Sequence, residues 1–521
     1  MTDMGELNVR QSGEHSGEQS GERRRTRRVL LAVGAAAVAV LGAAGAGFAA
    51  GTVVSGGGTQ PEDVLPAGTV VFADVDLDPA ADQKLNVARL LGRLPDVADD
   101  YGSEPDPRSL IVKLLTEGEP FKGTHVDDWI GDRMGVGVVW DEPTESLTSV
   151  VVLQTSDADA AVADLTSEVG SENVAVIDDF VLVTATGGED SSEMWSDELL
   201  DGDHPTPQLH SQTAAEVVAA AQAAPLGAAD GFADAFDHLD DGLASFYVDG
   251  AAMADLGQTV GVGTDIPADS LESLADAGQS AAVLRAESDA IELRMWSSAA
   301  LPSTAGPASL AGGLPDDTVL AVEATGGAEL VTDRWQAIVD AAGDAKVDRA
   351  LAEVEARLGV RLPDDLETLA GEDAVLAVDG GSLLTGIPGA GIASITDPEA
   401  AADLADRLQP SLATLTGGFG LVAEGTDDGM VLATSSDYAA ALTSGDGGLG
   451  TSERFTRALP DADGASYLAW VDLAALTGPL QLAAPDAADT LGPMDSLGVT
   501  VGPDDGGTAI RARLVFAEDG T

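Results

Sequence analysis

The sequence predicts an α+β protein in which a single N-terminal transmembrane helix is followed by two tandem, homologous α+β domains with largely antiparallel sheets. Three observations predict this fold class. One long apolar run without charge lies near the N-terminus, and five segments that follow it recur later in the chain in the same order. Within each copy, short strand-like stretches are separated by turn signals and by helical patterns.

The N-terminal region predicts a membrane anchor. Residues 1–28 contain a polar SGE repeat and end in RRRTRR, so we expect a disordered cytoplasmic tail. Residues 29–54 hold no charge, and at about 1.5 Å per residue they are long enough to cross a hydrocarbon core of about 30 Å. Because the arginines flank only the N-terminal side, the N-terminus is predicted in the cytoplasm and the bulk of the chain outside the plasma membrane.

Two other interpretations of this segment stay open. Ala44–Ala46 has the A-x-A pattern of a signal-peptide cleavage site, and Arg27 and Arg28 weakly resemble a twin-arginine export signal. A GxxxG pattern at Gly47–Gly51 would also allow a weak homodimer through the membrane helix.

Self-similarity divides the rest of the chain. LPAGTVVFADVD at Leu65 returns as LPDDTVLAVEAT at Leu314, and DDFVLVTAT at Asp178 returns as DDGMVLATS at Asp427. Such a fixed order of matches is typical of a duplication. The predicted divisions are a flexible linker at 55–64, copy one at 65–300 with a loop insertion at 187–212, a linker at 301–309, copy two at 310–516 and a tail at 517–521.

Each copy is predicted from local patterns. A strand follows each Leu-Pro turn, and Asp157 and Asp397 are predicted helix N-caps. The other predicted strands are Met134–Trp140, Val150–Gln154, Val174–Ile177, Phe180–Thr184, Ser245–Val248, Ile291–Trp296, Ser466–Val471 and Ala509–Phe516. The other predicted helices are Gln83–Leu94, Leu330–Ala341 and Val347–Leu358.

Composition excludes several classes of function. The chain has 89 acidic and 25 basic residues, a net charge of −64, and such a surface repels nucleic acid, so we exclude binding to phosphate backbones. The same acidity also follows from genome composition or a salt-rich habitat. The absence of cysteine excludes disulfides, thiolate catalysis and cysteine-ligated metal sites.

Asp74, Asp76 and Asp78 resemble the start of a calcium loop. Such a loop needs Gly at its sixth position and Glu at its twelfth, where this chain has Pro79 and Leu85. Alternation instead predicts a strand with Phe72 and the three aspartates on one face, the side that meets solvent. No metal site is therefore predicted there.

Other candidate chemistry is weaker. His204 and His210 lie near Asp201 and Asp203, but their spacing matches no compact ligand pattern, so we expect a solvated loop. The sequence contains no HExxH, GxSxG or P-loop motif. The acid pairs Asp240/Asp241 and Asp364/Asp365 carry little information in so acidic a chain. Five tryptophans in periodic segments are predicted core residues: Trp129, Trp140, Trp296, Trp335 and Trp470.

The segments QPEDVLPAGTVVFADVDLDPAADQKL (Gln60 to Leu85) and WIGDRMGVGV (Trp129 to Val138) follow an arginine-flanked anchor. In this combination the chain resembles the actinobacterial envelope proteins grouped as domain of unknown function 3352. The resemblance covers most of the chain after the anchor, although the second copy lacks the Gln-Lys part. It implies an exported, membrane-attached protein and supplies no catalytic residues.

The sequence thus favours a non-enzymatic, single-pass envelope protein whose duplicated ectodomain has a binding or structural role. No catalytic, cofactor-binding or metal-binding residue and no cofactor is predicted. An envelope protein or ligand is expected as partner, with no identity implied. The alternative is an exported hydrolase or divalent-metal-dependent enzyme that uses scattered carboxylates.

Overall fold

The computed structural model describes nine segments of the chain and a few residues between them. The segments are 59–93, 124–184, 211–260, 275–301, 306–332, 359–381, 389–415, 421–445 and 447–518, and the further residues are 335, 351–352 and 355–356. All of them belong to one compact unit. None of the helices in these segments is long and apolar enough to cross a membrane. The predicted tail, the anchor at 29–54, most of the insertion at 187–212 and most of the helices predicted between 330 and 358 lie outside the described residues.

Sixteen strands of the described chain form a single sheet, and every neighbouring pair is antiparallel. The strands are β1 (Thr69–Asp76), β2 (Ile130–Asp141), β3 (Ser146–Thr155), β4 (Val174–Ile177), β5 (Phe180–Thr184), β6 (Ala244–Asp249), β7 (Gln279–Ala286), β8 (Ala290–Ser297), β9 (Thr318–Thr325), β10 (Asp373–Asp379), β11 (Ala390–Ile395), β12 (Val422–Gly425), β13 (Gly429–Ala433), β14 (Tyr467–Asp472), β15 (Met494–Asp504) and β16 (Gly507–Phe516).

Helices cover the sheet. They are α1 (Ala81–Leu91), α2 (Ala158–Val169), α3 (Ala214–Ala223), α4 (Asp230–Phe236), α5 (Gly250–Val260), α6 (Asp364–Ala370), α7 (Pro398–Leu415), α8 (Ser436–Ser444), α9 (Glu453–Ala458), α10 (Leu473–Ala483) and α11 (Pro485–Leu491). Both predicted N-caps are confirmed: Asp157 accepts the backbone N–H of Ala160 at 3.1 Å, and Asp397 accepts that of Ala400 at 2.8 Å.

The order of the strands corrects the expectation of a separate sheet in each copy. The sheet runs β12-β13-β11-β10-β9-β14-β15-β16-β8-β7-β6-β1-β2-β3-β5-β4. The first eight strands of the chain and the last eight therefore follow the same order outward from the centre. At the centre β8 pairs with β16 from Ala290↔Val515 to Ser297↔Thr508. This pairing satisfies backbone groups that two separate sheets would leave at exposed edges.

One side of the sheet, which we call face 1, carries the two largest cores. Residues paired across strands share a face, and the pairings connect Phe72 through Tyr247 and Trp296 to Trp470. In the first half, α3 and α4 pack on this face around Phe72, Phe232 and Tyr247; in the second half, α8 and α9 pack on it around Trp470. The prediction of buried tryptophans is confirmed for Trp129, Trp140, Trp296 and Trp470, whereas Trp335 is half-buried.

The opposite side, face 2, is also covered. Helix α2 packs against β3 and β5 through Leu165 and Leu153, and α7 packs against β12 and β13. At the centre, Leu90 of α1, Met494 and Phe516 form an apolar cluster that joins the two halves. Face 2 also has exposed apolar positions, Val136 in the first half and Val322 with Leu376 in the second.

The central strand pair has an ion-pair network on face 1. Arg294 of β8 lies directly opposite Arg511 of β16, an arrangement that is unfavourable for two like charges. Glu292, which is 0% exposed, lies close to both: its carboxylate is 2.6 Å from Arg294 Nε, 3.5 Å from Arg511 Nε and 3.0 Å from Arg513 Nη1. Burial would raise the pKa of Glu292, but the three guanidinium groups hold it below its usual range. A single buried carboxylate thus stabilises three arginines where the two halves meet.

The two predicted linkers are partly packed. The segment expected to be flexible at 55–64 contains a short 3-10 helix, Pro61–Val64, because Val64 is fully buried in the face 1 core. In the linker predicted at 301–309, Ala308 packs against the second core and Ser309 is held by buried carboxylates. The polar, small-residue composition of both segments predicted flexibility. The apolar and backbone contacts of these residues instead hold part of each segment against a core.

Substitution of Glu292 tests the central network. Glu292→Gln keeps the side-chain volume but leaves three buried or half-buried arginines without their shared anion. We expect the free energy of unfolding to fall by about 3–5 kcal/mol, measured by urea denaturation. The control is Asp461→Asn: Asp461 also pairs with Arg511, but its side chain is 62% exposed, so a loss below about 1 kcal/mol is expected. Equal effects of the two variants would show that Glu292 has no special role.

Candidate functional site

The prediction that the three aspartates meet solvent is confirmed for Asp78, which is exposed, and wrong for Asp74 and Asp76, which are half-buried. Asp74 is on face 1 with Phe72, which is fully buried. The pattern of alternation was correct, but α3 and α4 pack on this face around Phe72 and withdraw part of it from water. Burial raises the pKa of Asp74 well above its usual range, and the Ser245 hydroxyl, which donates a hydrogen bond to Asp74, only partly opposes this.

A second carboxyl group, that of Glu62, lies near Asp74. Glu62 belongs to the 3-10 helix Pro61–Val64 and is only 7% exposed, and its Oε2 atom is buried without a hydrogen-bond partner. Burial raises the pKa of Glu62 to about 7, with Arg133 opposing the shift. The charge of Glu62 in turn raises the pKa of Asp74. The segment that leads into β1 therefore carries a buried carboxyl group, Glu62, near the half-buried carboxyl group of Asp74.

The other two aspartates have local partners. Asp76 accepts the backbone N–H of Asp78 at 2.9 Å, and Lys84 of α1 forms an ion pair with Asp78. Burial also raises the pKa of Asp76, which the backbone N–H of Asp78 and the charge of Arg133 oppose. The three aspartates thus separate into one desolvated carboxyl group and two that stabilise the turn between β1 and α1.

The second half has a pair of carboxyl groups that are both buried. Glu323 on β9 is 1% exposed and Asp373 on β10 is 5% exposed. Glu323 accepts three backbone N–H groups, from Ser309 at 2.5 Å, Leu310 at 2.7 Å and Ala311 at 2.7 Å. Asp373 accepts the Ser309 hydroxyl at 2.7 Å and the Ser309 N–H at 3.2 Å. Burial raises the pKa of Glu323 to about 7, and the charge of Asp373 adds to the shift.

Strand register shows that one acid of each pair, Asp74 in the first half and Glu323 in the second, occupies a matching position. Asp74 lies opposite Gly135 of β2, with Arg133 two residues before it; Glu323 lies opposite Val375 of β10, with Asp373 two residues before it. The strand acid is thus present in both halves, but its diagonal neighbour is a cation in the first half and an anion in the second. The sequence analysis did not predict this difference. The alignment of the two Leu-Pro strands places Asp74 and Glu323 at the same position, so it could have identified the shared strand acid.

One acid of each pair singled out in the sequence, Asp240 and Asp365, forms ion pairs. Asp240 binds Arg285 and Arg294, and Asp365 accepts two hydrogen bonds from Arg407, at 2.5 and 2.6 Å. The Arg407 guanidinium holds the pKa of Asp365 below its usual range despite burial. The candidates Asp201, Asp203, His204 and His210 lie outside the described residues.

Two histidines that the sequence analysis did not single out have defined environments. The His125 backbone N–H donates to Asp164 at 2.7 Å, and the Trp129 indole donates to the same carboxylate at 3.1 Å. His238 stacks on Trp296 with ring centroids 4.2 Å apart and lies 3.4 Å from Asp504. Each histidine thus faces a single carboxylate. Within the described segments, no group of three or more histidine, aspartate and glutamate side chains is arranged to hold a metal ion.

The chemistry of these groups follows from their burial. A carboxyl group with a pKa near 7 is a possible general acid or base, provided that a substrate can reach it. Glu323 uses both of its oxygens to bind backbone N–H groups and is almost fully buried. Its arrangement therefore suits the capping of a chain segment better than proton transfer to a substrate.

Comparison with known proteins gave no match: no family model, curated protein or solved structure is significantly similar to this chain.

Proposed function

We propose that this chain is a non-enzymatic, single-pass envelope protein whose ectodomain has a binding or structural role outside the plasma membrane. The charge-free segment at 29–54 with arginines on its N-terminal side supports the location. The resemblance to the envelope proteins of domain of unknown function 3352, which is itself a prediction, supports the same location. A weak homodimer through Gly47–Gly51 also stays a prediction.

One observation favours a non-catalytic role most. The two carboxyl groups whose pKa is raised to about 7, Glu62 and Glu323, are buried within packed parts of the chain, and both oxygens of Glu323 accept backbone N–H groups. One acid of each pair that the sequence singled out, Asp240 and Asp365, binds arginine. These acids thus stabilise the fold.

The alternative, an exported hydrolase or divalent-metal-dependent enzyme, is favoured by one feature. Glu62 has a pKa near 7 and an oxygen without a hydrogen-bond partner, both of which occur in catalytic carboxyl groups. Its burial within the Pro61–Val64 turn argues against access by a substrate.

Titration with calcium, magnesium and zinc separates the two proposals. For a structural acidic surface we expect weak heats that do not saturate and that disappear in ordinary salt, because exposed charges are screened. Isothermal calorimetry with parallel thermal melts checks this. Tight, stoichiometric binding with a raised melting temperature would support the metal-dependent alternative, and Asp74, Asp76, Asp78 and His204 would be the first residues to mutate.

Protease access to intact cells tests the proposed topology. A tag at the C-terminus should be cleaved by external protease, a tag at the N-terminus should be protected, and the chain should stay in membranes washed at alkaline pH. A C-terminal tag that is protected would contradict the orientation. Release of a shortened chain that lacks the N-terminal tag would instead indicate a cleaved signal peptide.

We also propose that the two halves are homologous copies that arose by duplication. The five sequence matches in the same order and the shared strand order of β1–β8 and β9–β16 support this. The main cores support it as well, since the clusters around Phe72 and Leu165 come from the first half and those around Trp470 and Leu404 almost entirely from the second.

Separate expression of the halves tests the duplication. Residues 59–301 and 306–518, produced as two chains, should each form their own core and associate one to one through β8 and β16, as measured by co-purification and light scattering. Glu292→Gln in the first chain should weaken this association, whereas Asp461→Asn in the second should not. Halves of which neither folds without the other would argue against independent copies. Folded halves that stay apart would contradict the expected association through β8 and β16.

A further inference from the structure

A pair of buried acids binds the end of the segment that connects the two halves. Residues 306–311 lead into the second half, and the backbone N–H groups of Ser309, Leu310 and Ala311 all point at Glu323. Two of these bonds use Oε1 and one uses Oε2, so both oxygens take part. Charge-assisted bonds from backbone donors of this kind are among the stronger hydrogen bonds in proteins.

Glu323 and Asp373 accept from one nitrogen. The Ser309 N–H lies 2.5 Å from Glu323 Oε1 and 3.2 Å from Asp373 Oδ2, so the two carboxyl groups are close neighbours. Asp373 Oδ1 is buried and has no hydrogen-bond partner. An oxygen in this position is satisfied when the pair holds a proton, since a protonated carboxyl group is itself a donor.

No cation offsets the pair among the elements packed on it in the described structure. The segment 306–313 carries no ionisable side chain, and β14 presents Leu468 opposite Glu323. The nearby arginines of α9 bind other acids: Arg454 binds Asp472, and Arg457 binds Asp289. In the first half, by contrast, Arg133 occupies the position that corresponds to Asp373 and lowers the pKa of the acids around it.

We propose that Glu323 and Asp373 form a proton-operated latch that fastens residues 309–311 to β9 and β10 and loosens when the shared proton is lost. With one proton the pair has a single negative charge, which the backbone donors stabilise. Without it, two neighbouring charges are buried together, and separation of the segment from the sheet lets water reach them.

The direction of the effect follows from linkage. The pKa of Glu323 is about 7 when the segment is bound, against 4.5 for a free glutamate. The bound state therefore keeps a proton that the open state loses, and binding weakens as pH rises from 4.5 to 7 and changes little above that. For one proton, opening of the segment becomes roughly seventyfold more frequent between pH 5 and pH 8.

Hydrogen–deuterium exchange of the full-length protein in detergent tests the latch. After correction for intrinsic exchange, protection of the amides of residues 309–311 should fall roughly seventyfold from pH 5 to pH 8, with most of the change below pH 7. Amides of β10 serve as the internal reference. Glu323→Gln should lower protection at pH 5 and remove most of the pH dependence.

Two further variants keep the test decisive. Asp373→Asn removes the neighbouring charge and should reduce the pH dependence while the segment stays bound, so it gives a result even if Glu323→Gln releases the segment altogether. Glu62→Gln, in the first half, should leave the exchange of residues 309–311 as in the wild type. Protection that is constant from pH 5 to pH 8, or an undiminished fall in Asp373→Asn, would overturn the proposal and leave Glu323 as a simple backbone cap.

Discussion

The pairing of β8 with β16 is the constraint on which the rest of the structure depends. It turns two eight-stranded arrangements into one sheet, and it brings Arg294 and Arg511 face to face. Such a centre is stable only if an anion lies between the arginines, and Glu292 supplies it from within the sheet. On face 2 the same strands are joined by apolar packing around Phe516, so the centre is held by ion pairs on one side and by the hydrophobic effect on the other.

The central ion-pair network also explains where the few arginines of this acidic chain lie. After residue 28 the chain has few basic side chains, yet six arginines cluster around the junction and its flanking helix: Arg285, Arg294, Arg454, Arg457, Arg511 and Arg513. Each lies close to at least one carboxylate. In a chain of net charge −64, such cations have most effect where acids are buried, because surface ion pairs contribute little in salt.

Many helices and strands of this fold follow from local sequence, but the pairing of β8 with β16 does not. The N-caps Asp157 and Asp397 and the strands Val174–Ile177 and Phe180–Thr184 were predicted because capping and alternation act over a few residues. The β8–β16 pairing joins segments more than 200 residues apart, and no local pattern encodes it. The linkers were predicted from composition, which does not show that Val64 or Ala308 finds a core to pack against.

At the acid sites, too, the local sequence predicts which face a side chain lies on, whereas tertiary packing decides whether that face is exposed to solvent. Alternation placed Asp74 correctly on the same face as Phe72. The solvent exposure of that face, however, depends on α3 and α4, which lie more than 130 residues downstream. Once a helix covers the face, a carboxyl group there must keep its proton, bind a cation or accept backbone donors. Each half uses a different combination: Asp74 accepts Ser245 near Arg133, whereas Glu323 accepts three backbone N–H groups beside Asp373. Two matching strand positions thus have different electrostatic environments, and in the described part of the chain only the one in the second half lacks a nearby cation.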